Sequence, residues 1–555
     1  MKSESTNWKF RFLLPFLILS IPFLKFILHN LLNWKSPEVL SSLGGLGVII
    51  LLCGVVLVGV SGSRVLSNLL IAGLVTLFLD IQFDFLQGGY HLVGTWLAFL
   101  MLAWVLKDNF YRIATVIFGV FFVVTIFEIL PSLGEGHGFQ NGRENIRLAG
   151  KMVSDNPKSL PRIIHLILDE HIGLEGIPTD IAQGKILKEQ LVHFYQHYGF
   201  HIFGGAFSHF YDTAESISNM LNFSADSQLS KHFESLSGNR LQHNKYFEIL
   251  SKAGYQINVF GADHIDYCAE TRVKIQNCMV FPASSLLGLN KIEAPTSVKS
   301  QVVLSHYFNL SYLYRRGRDL YKAYQPTLAQ VGLSLPAWMW DWSDATMASL
   351  NNMLLLEGLW KDILALPQGN VLFAHLLIPH NPYNLEGDCS IVSPIKEWKS
   401  RYLERTHGGN TAHSREVRYR LYFEQVRCLY SWLDKLFEEM NAHGQFDDSI
   451  ILVHGDHGSR IVRTEPVMKN METLTEQDLI DGFSTLFAVK FPVRPGKYDT
   501  LPRPIELLLE NVVSEIAGSG GLLEQEISSP SFVYIMPKNP ESDKYFVRVS
   551  YPGIW

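Results

Sequence analysis

Acidic and imidazole side chains follow two apolar segments of this 555-residue chain, at the points where the segments end. One segment runs into Asp169, Glu170 and His171, and a later one runs into Asp456 and His457. Carboxylates combined with an imidazole are typical ligands of a divalent cation of hard or borderline character. These residue types and positions therefore predict a metal site.

A hydroxyl group for covalent chemistry is present in another segment. Thr213 lies in the stretch 212–219 (DTAESISN), whose composition is typical of a helix start. A hydroxyl at a helix start lies where backbone N–H groups favour an anion, and a nearby metal ion eases its deprotonation. Thr213 is therefore the candidate nucleophile. Taken singly, each motif also has a plain structural explanation: a helix cap for the threonine, a turn for Asp-His-Gly and a solvated loop for Asp-Glu.

These segments meet only if one α/β domain holds them. Apolar runs with β-strand character alternate with helical stretches such as Arg415–Met440. The runs are Arg162–Asp169, Phe200–Ala206, Tyr255–Phe260, Asn370–Leu377, Ser449–Val453 and Phe483–Phe491. This alternation indicates a mainly parallel sheet flanked by helices on both faces. Ligands gather at the carboxyl ends of strands in such sheets, so we expect Asp169 and Asp456 to lie close together.

The order of these motifs resembles the alkaline phosphatase and sulfatase superfamily over about residues 160–495. An acidic pair ends a strand, the Thr213 segment follows 44 residues after Asp169, and Asp456-His457-Gly458 ends a late strand. The segment 379–383 (PHNPY) is similar to the Pro-His-x-Pro-Tyr segment of that superfamily. The resemblance implies an α/β sulfatase-like domain.

Within the superfamily, the chain departs from the true sulfatases. Thr213 is followed by Ala-Glu-Ser, without the Pro and Arg of the Cys-x-Pro-x-Arg context in which formylglycine forms. A threonine nucleophile after several membrane helices resembles the lipoteichoic acid synthases and the lipid A phosphoethanolamine transferases. Those enzymes take a phospho-head-group from a membrane phospholipid, hold it on the threonine and pass it to an envelope glycan or lipid.

The resemblance also implies one divalent metal ion, Zn or Mn in preference to Ca or Mg. Its ligands would be Asp169 or Glu170, together with Thr213, Asp456 and His457. Asp169 ends the strand, and Glu170 would face the opposite side if the strand continued, so Asp169 is favoured while both remain candidates. No Asp-x-x-x-His segment suggests the second metal site of the phosphatases, so a single metal ion is expected.

His380 is the candidate acid or phosphoryl ligand, and the alternative is a packed loop histidine between two prolines. Two other functions stay open. The same site could hydrolyse a phosphoric or sulfuric ester with water as acceptor, or the protein could be a catalytically inactive lipid sensor or interaction protein. Bound divalent metal would count against the sensor.

The first 131 residues predict a transmembrane domain of about five helices. Five apolar runs are visible, and a bilayer core needs about 20 residues per span. They are Phe12–Leu32, Leu43–Val60, Val65–Leu79, His91–Leu106 and Ile113–Leu130. Lys25 can extend its ammonium group toward the outer surface, and Asp80 and Asp84 are expected to mark an interface.

Basic residues predict the orientation of this integral membrane protein. They cluster before the first run and in alternate loops, at Lys2, Lys9, Arg11, Arg64, Lys107 and Arg112. Basic residues favour the cytoplasmic side, which places the N-terminus there. Five spans then make the C-terminal domain extracytoplasmic, periplasmic in a Gram-negative cell, with the anchor in the plasma or inner membrane.

The predicted domains are a transmembrane domain at 1–131, a linker at 132–160, a catalytic domain at 161–500 and a C-terminal extension at 501–555 packed on it. The net charge of −6 does not suggest nucleic acid as a partner. Two disulfides, Cys268 with Cys278 and Cys389 with Cys428, are compatible with the spacing in an oxidising compartment, and free buried thiols are equally compatible.

A tryptophan-rich stretch lies in an insertion, Pro282–Leu366, that has a helical pattern. Trp338, Trp340 and Trp342 alternate and would share one face of an extended segment. Tryptophan favours the bilayer interface, so this face is predicted to touch the membrane or the helix bundle. Packing of the three rings in the domain core is the alternative.

Overall fold

The computed structural model describes residues 4–30, 32–83, 89–134, 160–227, 234–235, 238–281, 292–330, 347–392, 411–518, 531–536 and 546–552, with isolated positions between 283 and 289. Its helices are α1 (Glu4–His29), α2 (Pro37–Gly59), α3 (Arg64–Gln82), α4 (Gly89–Leu106), α5 (Asp108–Gly134), α6 (Gly184–His197), α7 (Thr213–Asn222), α8 (Lys245–Lys252), α9 (Thr296–Asn309), α10 (Tyr312–Gln330), α11 (Ala348–Leu364), α12 (Ala412–Ala442), α13 (Glu476–Phe483) and α14 (Ile505–Ile516).

The strands are β1 (Arg162–Leu168), β2 (His201–Phe203), β3 (Ala206–Phe207), β4 (Glu234–Ser235), β5 (Gly238–Asn239), β6 (Gln256–Ala262), β7 (Ile275–Phe281), β8 (Asn370–Leu376), β9 (Ser449–Gly455), β10 (Phe487–Lys490), β11 (Tyr498–Asp499), β12 (Arg503–Pro504), β13 (Phe532–Ile535) and β14 (Val547–Ser550).

The chain divides into two compact units. One contains residues 1–145 and 285–344, and the other contains residues 146–284 and 345–555. The sequence suggested an unbroken catalytic domain at 161–500. The structure instead groups residues 285–344, which include α9 and α10, with the N-terminal helices.

The N-terminal helices are apolar. Four segments are long and apolar enough to cross a membrane, namely Pro37–Gly62, Arg64–Gln82, Gly89–Leu106 and Asn109–Leu130. The apolar stretch described within α1, Leu13–His29, is shorter than these four. The helices support a membrane anchor, and the count of five spans stays a prediction.

Asp80 holds the start of α10 within the first unit. Its buried carboxylate accepts hydrogen bonds from the Ser311 hydroxyl at 2.6 Å, the Tyr312 amide at 3.2 Å and the Leu313 amide at 3.1 Å. The two amides belong to the unsatisfied first turn of α10, so a side chain from α3 caps α10. Asp84, the other residue expected at an interface, lies outside the described residues.

An eight-stranded sheet forms the centre of the second unit, in the order β11-β2-β10-β9-β1-β8-β6-β7. The pairs among β6, β7, β8, β1 and β9 are parallel, as the alternation of strands and helices predicted. β10 runs antiparallel to both β9 and β2, so the sheet is mixed. The predicted run Phe483–Phe491 divides accordingly: Phe483 ends α13, and β10 begins at Phe487.

Helices cover both faces of the sheet. Ile164 and Leu166 of β1 pack in one apolar core with side chains of α6, α11 and α12. Ile163 and Ile167 pack in the other core with side chains of α7, α8 and α14. Successive strand residues face opposite sides, so burial of both faces explains why these strands are continuously apolar.

The described part of the C-terminal region packs on the α/β unit. Helix α14 contributes to the core that β1 shares with α7 and α8. The hairpin of β13 and β14 contributes Val533 and Ile535 to a smaller apolar cluster with Phe207 and Phe483.

Both cysteine pairs of the second unit are disulfides. Cys268 bonds to Cys278, and Cys389 bonds to Cys428, while Cys53 of α2 is a free thiol. Disulfides persist in oxidising compartments, so this pairing agrees with an extracytoplasmic location.

Two predicted features lie largely or wholly outside the described residues. Trp338, Trp340 and Trp342 belong to residues 331–346, so their contact with the membrane stays a prediction. Residues 135–159, which make up most of the predicted linker, are also outside them.

Glu506 at the start of α14 makes the stability of the second unit depend on pH. Its buried carboxylate lies 3.8 Å from the His209 ring, and burial raises the pKa of Glu506 to about 8. The folded state therefore holds a proton that the unfolded state releases above its usual pKa of 4.5. Stability from this group is complete below that value and is lost as the pH rises through about 8.

Glu506→Gln should remove this loss of stability at high pH. We expect the unfolding temperature of the variant to exceed that of the unchanged protein by a few degrees at pH 9 but not at pH 4, since 1 kcal/mol shifts a large domain by about 2–4 °C. Thermal unfolding of the full chain across this pH range measures the effect. Glu510→Gln, at an exposed position of the same helix, is the matched control. Equal pH profiles for the two variants would contradict the assignment.

Candidate metal centre

Two neighbouring parallel strands place Asp169 beside Asp456. Leu168, the last residue of β1, is paired with Gly455, the last residue of β9, so the next residue of each strand is an aspartate. The amide of Asp169 donates to the carbonyl of Leu376 on β8, which holds the end of β1 from its other side. The strand register therefore brings together the two carboxylates that the sequence predicted to meet.

Asp169, Asp456 and His457 form a buried triad whose possible ligand atoms all lie within 4.8 Å of one another. His457 Nε2 is 3.2 Å from Asp456 Oδ2 and 3.8 Å from Asp169 Oδ1. His457 Nδ1 lies 2.9 Å from the carbonyl oxygen of Gly458, to which it can donate a proton. In that tautomer, Nε2 presents its lone pair to the two carboxylates.

Thr213 reaches the same centre. Its hydroxyl oxygen lies 3.0 Å from His457 Nε2, and α7 begins at Thr213 with Asp212 in the N-cap position. The first amides of a helix lack intrahelical partners and favour negative charge. The structure therefore places a half-buried hydroxyl beside the triad, at a point where backbone amides favour an oxyanion.

Ser216 and Ser218 are the other two hydroxyl-bearing residues of the segment 212–219. The Ser216 hydroxyl donates to the carbonyl of Asp456 at 2.5 Å and contacts the Ser208 hydroxyl at 2.9 Å. The Ser218 hydroxyl donates to the carbonyl of Ala214 in its own helix. Both hydroxyls are engaged with backbone carbonyls, whereas the Thr213 hydroxyl faces the triad.

A second triad shares Asp169 and adds His264 and His375. His375 lies on β8, paired with Ile167 of β1, and His264 follows β6 by two residues. His375 Nε2 is 4.0 Å from Asp169 Oδ2, and His264 Nε2 is 3.9 Å from the same oxygen. The sequence predicted a single metal ion held by Asp169 or Glu170 with Thr213, Asp456 and His457, so these two imidazoles are a difference from that expectation.

Buried polar atoms indicate that these residues fit a divalent cation. Asp169 Oδ1, Asp456 Oδ2 and His375 Nε2 are buried and have no hydrogen-bond partner within the described part of the chain. An unpartnered buried polar atom is costly, and a metal ion at the triad of Asp169, Asp456 and His457 would satisfy the two carboxylate oxygens. Carboxylates with imidazoles are a donor set that divalent cations such as Zn²⁺ and Mn²⁺ accept, and the identity of the metal stays a prediction.

The charges of the two aspartates are linked. Burial raises the pKa of Asp169 well above its usual range, and the carboxylates of Asp456 and Glu170 raise it further. Burial also raises the pKa of Asp456, but His457, His375 and Arg460 outweigh burial and lower it to about 2. A cation between the two carboxylates would offset their mutual repulsion.

The Glu170 carboxylate faces Arg460 and His380. Its carboxylate accepts from Arg460 Nε at 3.0 Å and lies 3.5 Å from His380 Nε2. Strand β1 ends at Leu168, and Glu170 has a φ of 62°, so the chain turns immediately after Asp169. Among the described residues, neither triad includes the Glu170 carboxylate. Asp169 is therefore the acidic residue that the geometry favours as ligand.

Arg460 connects the two segments on either side of the centre. Its Nε contacts Glu170, and its Nη1 contacts Asp212 Oδ1 at 3.0 Å, directly before Thr213. His380 lies beside this pair with about one-fifth of its side chain exposed. A guanidinium and an imidazole next to the hydroxyl are suited to hold an anionic oxygen.

Sequence reasoning did not assign His264, His375 or Arg460 a role. His375 occupies the second-last position of a strand next to β1, and Arg460 follows Asp456 by four residues. The strand-end rule that selected Asp169 could have selected His375, because β8 also ends at this edge of the sheet. No sequence signal marks His264, which lies in a loop.

Solved structures were found that are similar to this chain, whereas no protein-family model and no curated protein matches it. The C-terminal periplasmic domain of EcEptC from Escherichia coli is 11% identical, covers 71% of this chain and 94% of its own, and has a TM-score of 0.39. The lipoteichoic acid synthase LtaP from Listeria monocytogenes is 13% identical, covers 74% of this chain and 91% of its own, and has a TM-score of 0.36.

The phosphonate monoester hydrolase of Agrobacterium radiobacter is 11% identical, covers 67% of this chain and 79% of its own, and has a TM-score of 0.40. Sulfatases are found as well.

Proposed function

We propose that this protein is a membrane-bound, metal-dependent phosphotransferase that takes a phospho-head-group from a membrane phospholipid through a phospho-threonine intermediate on Thr213. The acceptor would be an envelope glycan or lipid. The observation that carries the proposal is the position of the Thr213 hydroxyl, 3.0 Å from His457 Nε2 at the start of a helix. The apolar helices of the same chain support a lipid donor.

The residues of the centre have distinct roles in this proposal. Asp169, Asp456 and His457, with Thr213, would hold one divalent cation, which would favour the ionised hydroxyl and balance charge on a phosphoryl group. The Thr213 oxygen attacks phosphorus and forms the new O–P bond, while the bond from phosphorus to the lipid glycerol oxygen breaks. His380 gives the departing glycerol oxygen a proton or holds a phosphoryl oxygen.

The second half of the reaction returns Thr213 to its free form. A hydroxyl of the acceptor attacks phosphorus, the bond to the Thr213 oxygen breaks, and the acceptor proton leaves through a base such as His380. With water as the acceptor the same steps describe a hydrolase. The two disulfides of the second unit and the basic residues of alternate loops support an extracytoplasmic domain with a cytoplasmic N-terminus.

Mass spectrometry of the full chain after exposure to phospholipid vesicles tests the proposal. We expect a covalent adduct on the peptide that contains Thr213, with the mass of a phospho-head-group, and none in Thr213→Ala. Release of the adduct to water alone, without transfer to added glycan or lipid hydroxyls, would favour the hydrolase. Absence of both the adduct and bound metal would overturn the proposal in favour of a lipid sensor.

Arg460→Lys should reduce kcat/KM by about 10–100-fold, because residues that orient the groups around a metal centre have effects of this size. Lysine keeps the charge but loses the fork that contacts Glu170 and Asp212 together. Steady-state kinetics at equal metal content measure the change. Arg463→Lys, at an exposed position three residues later, is the control, and equal kinetics for the two variants would contradict the role of Arg460.

A further inference from the structure

An apolar groove runs between α1, α2 and α5 of the first unit, with a volume of about 800 Å³. Leu13 and Leu24 line it on α1, Gly47 lines it on α2, and Phe122 and Ile126 line it on α5. Both α2 and α5 contain candidate membrane spans. The apolar composition of this groove suits the hydrocarbon chain of a lipid.

The length of the groove matches one lipid tail. Leu13 and Leu24 are 11 residues apart on one helix. At a rise of 1.5 Å per residue this separation is about 16 Å, roughly half of the 30 Å hydrocarbon core. The groove is therefore about as long as one leaflet is thick, which is the length that an acyl chain needs.

One end of the groove carries a pair of opposite charges. Lys25 directly follows Leu24, Glu128 follows Ile126 by two residues, and Lys25 Nζ lies 3.8 Å from Glu128 Oε2. The two side chains are 41% and 44% exposed, so both can contact a further molecule. A zwitterionic head group offers a phosphate to the lysine and an ammonium to the glutamate. An anionic head group such as phosphatidylglycerol offers Glu128 no cation.

We propose that this groove binds an acyl chain of a zwitterionic phospholipid, with the lipid head group at the Lys25–Glu128 pair. The inference deepens the proposed function and rests on it in one respect: the bound lipid would be the class that supplies the head group to Thr213. Binding itself depends only on α1, α2 and α5.

Glycine substitutions test the groove. A side chain added at Gly47 meets no atom within 4 Å, so Gly47→Leu would extend into open space of the groove. Gly94 on α4 has equally open surroundings and does not line the groove, so Gly94→Leu is the matched control. Native mass spectrometry of the full chain with palmitoyl-oleoyl phosphatidylethanolamine should show at least about tenfold weaker retention in Gly47→Leu, which corresponds to 1.4 kcal/mol.

The position of the head group at the Lys25–Glu128 pair is tested by comparing two lipids with different head groups. The unchanged protein should retain phosphatidylethanolamine in preference to phosphatidylglycerol of the same acyl composition, and Glu128→Gln should remove this preference. Equal retention in Gly47→Leu and Gly94→Leu would overturn the groove, and a preference of the unchanged protein for phosphatidylglycerol would overturn the zwitterionic head group.

A third measurement uses the unchanged protein and therefore does not depend on whether the variants fold. Phosphatidylethanolamine with a photoreactive diazirine on its acyl chain should label peptides of α1, α2 or α5, and labelling confined to α3 and α4 would overturn the proposal. None of these readouts requires turnover. Retention in the groove without a Thr213 adduct would overturn the proposed function alone, and an adduct with equal retention in both glycine variants would overturn the groove alone.

Discussion

Thr213→Ala should lower turnover on the order of 10⁴-fold, because loss of a nucleophile leaves only binding and charge stabilisation. The Thr213 hydroxyl faces His457 Nε2 at 3.0 Å, and no other hydroxyl of α7 has this position among the described residues. The fold should survive, since Thr213 is half-buried and a typical substitution costs about 1 kcal/mol. Initial rates with a phosphodiester substrate, together with the unfolding temperature, measure both effects.

Thr213→Ser is the matched control for this prediction. Serine keeps the hydroxyl and removes one methyl group, so the adduct and part of the turnover should return. Ser216→Ala should leave an adduct on Thr213, because the Ser216 hydroxyl is bonded to the carbonyl of Asp456. Normal turnover in Thr213→Ala would refute the assignment of the nucleophile.

Asp456→Asn and His457→Ala should each weaken divalent-metal binding by more than about 100-fold, because even residues behind the ligands alter metal affinity by about 10–100-fold. Asp456 Oδ2 and His457 Nε2 are 3.2 Å apart and face the Asp169 carboxylate. Metal analysis of the purified full chain gives the stoichiometry, and circular dichroism reports whether each variant is folded.

Three further variants make the metal prediction specific. His454→Ala should retain the metal, because His454 Nε2 contacts His165 Nε2 at 2.6 Å and belongs to neither triad. Glu170→Gln should retain it as well, whereas Asp169→Asn should not, since the Glu170 carboxylate faces Arg460. Unchanged stoichiometry in both Asp456→Asn and His457→Ala would exclude this site.

The positions of Asp169, Asp456 and His457 could be predicted from the sequence because they depend on a local rule. Each follows directly after an apolar segment that is long enough for one buried strand, and the carboxyl ends of parallel strands meet at one edge of a sheet. The apolar segments themselves were recognisable because both faces of the sheet are covered by helices. Thr213 could be predicted for a similar reason, since the composition of a helix start is local.

Other features were decided only by the tertiary structure, because they depend on strand order and on contacts between distant segments. An apolar run has no direction, so the antiparallel β10 could not be distinguished from the parallel strands. Residues 285–344 belong to the unit of the N-terminal helices because of contacts such as those of Asp80 with the start of α10, which join positions more than 200 residues apart.

The surroundings of Asp169 depend on the same long-range contacts. His264 and His375 approach it only because β6 and β8 follow β1 in the sheet. Glu170 faces Arg460 and not the triads because the chain turns after Asp169 into a left-handed conformation at Glu170, whereas the sequence favoured Asp169 on the basis of strand alternation. The sequence by itself therefore determined which side chains end the strands, and the packing of the sheet determined which other side chains meet them.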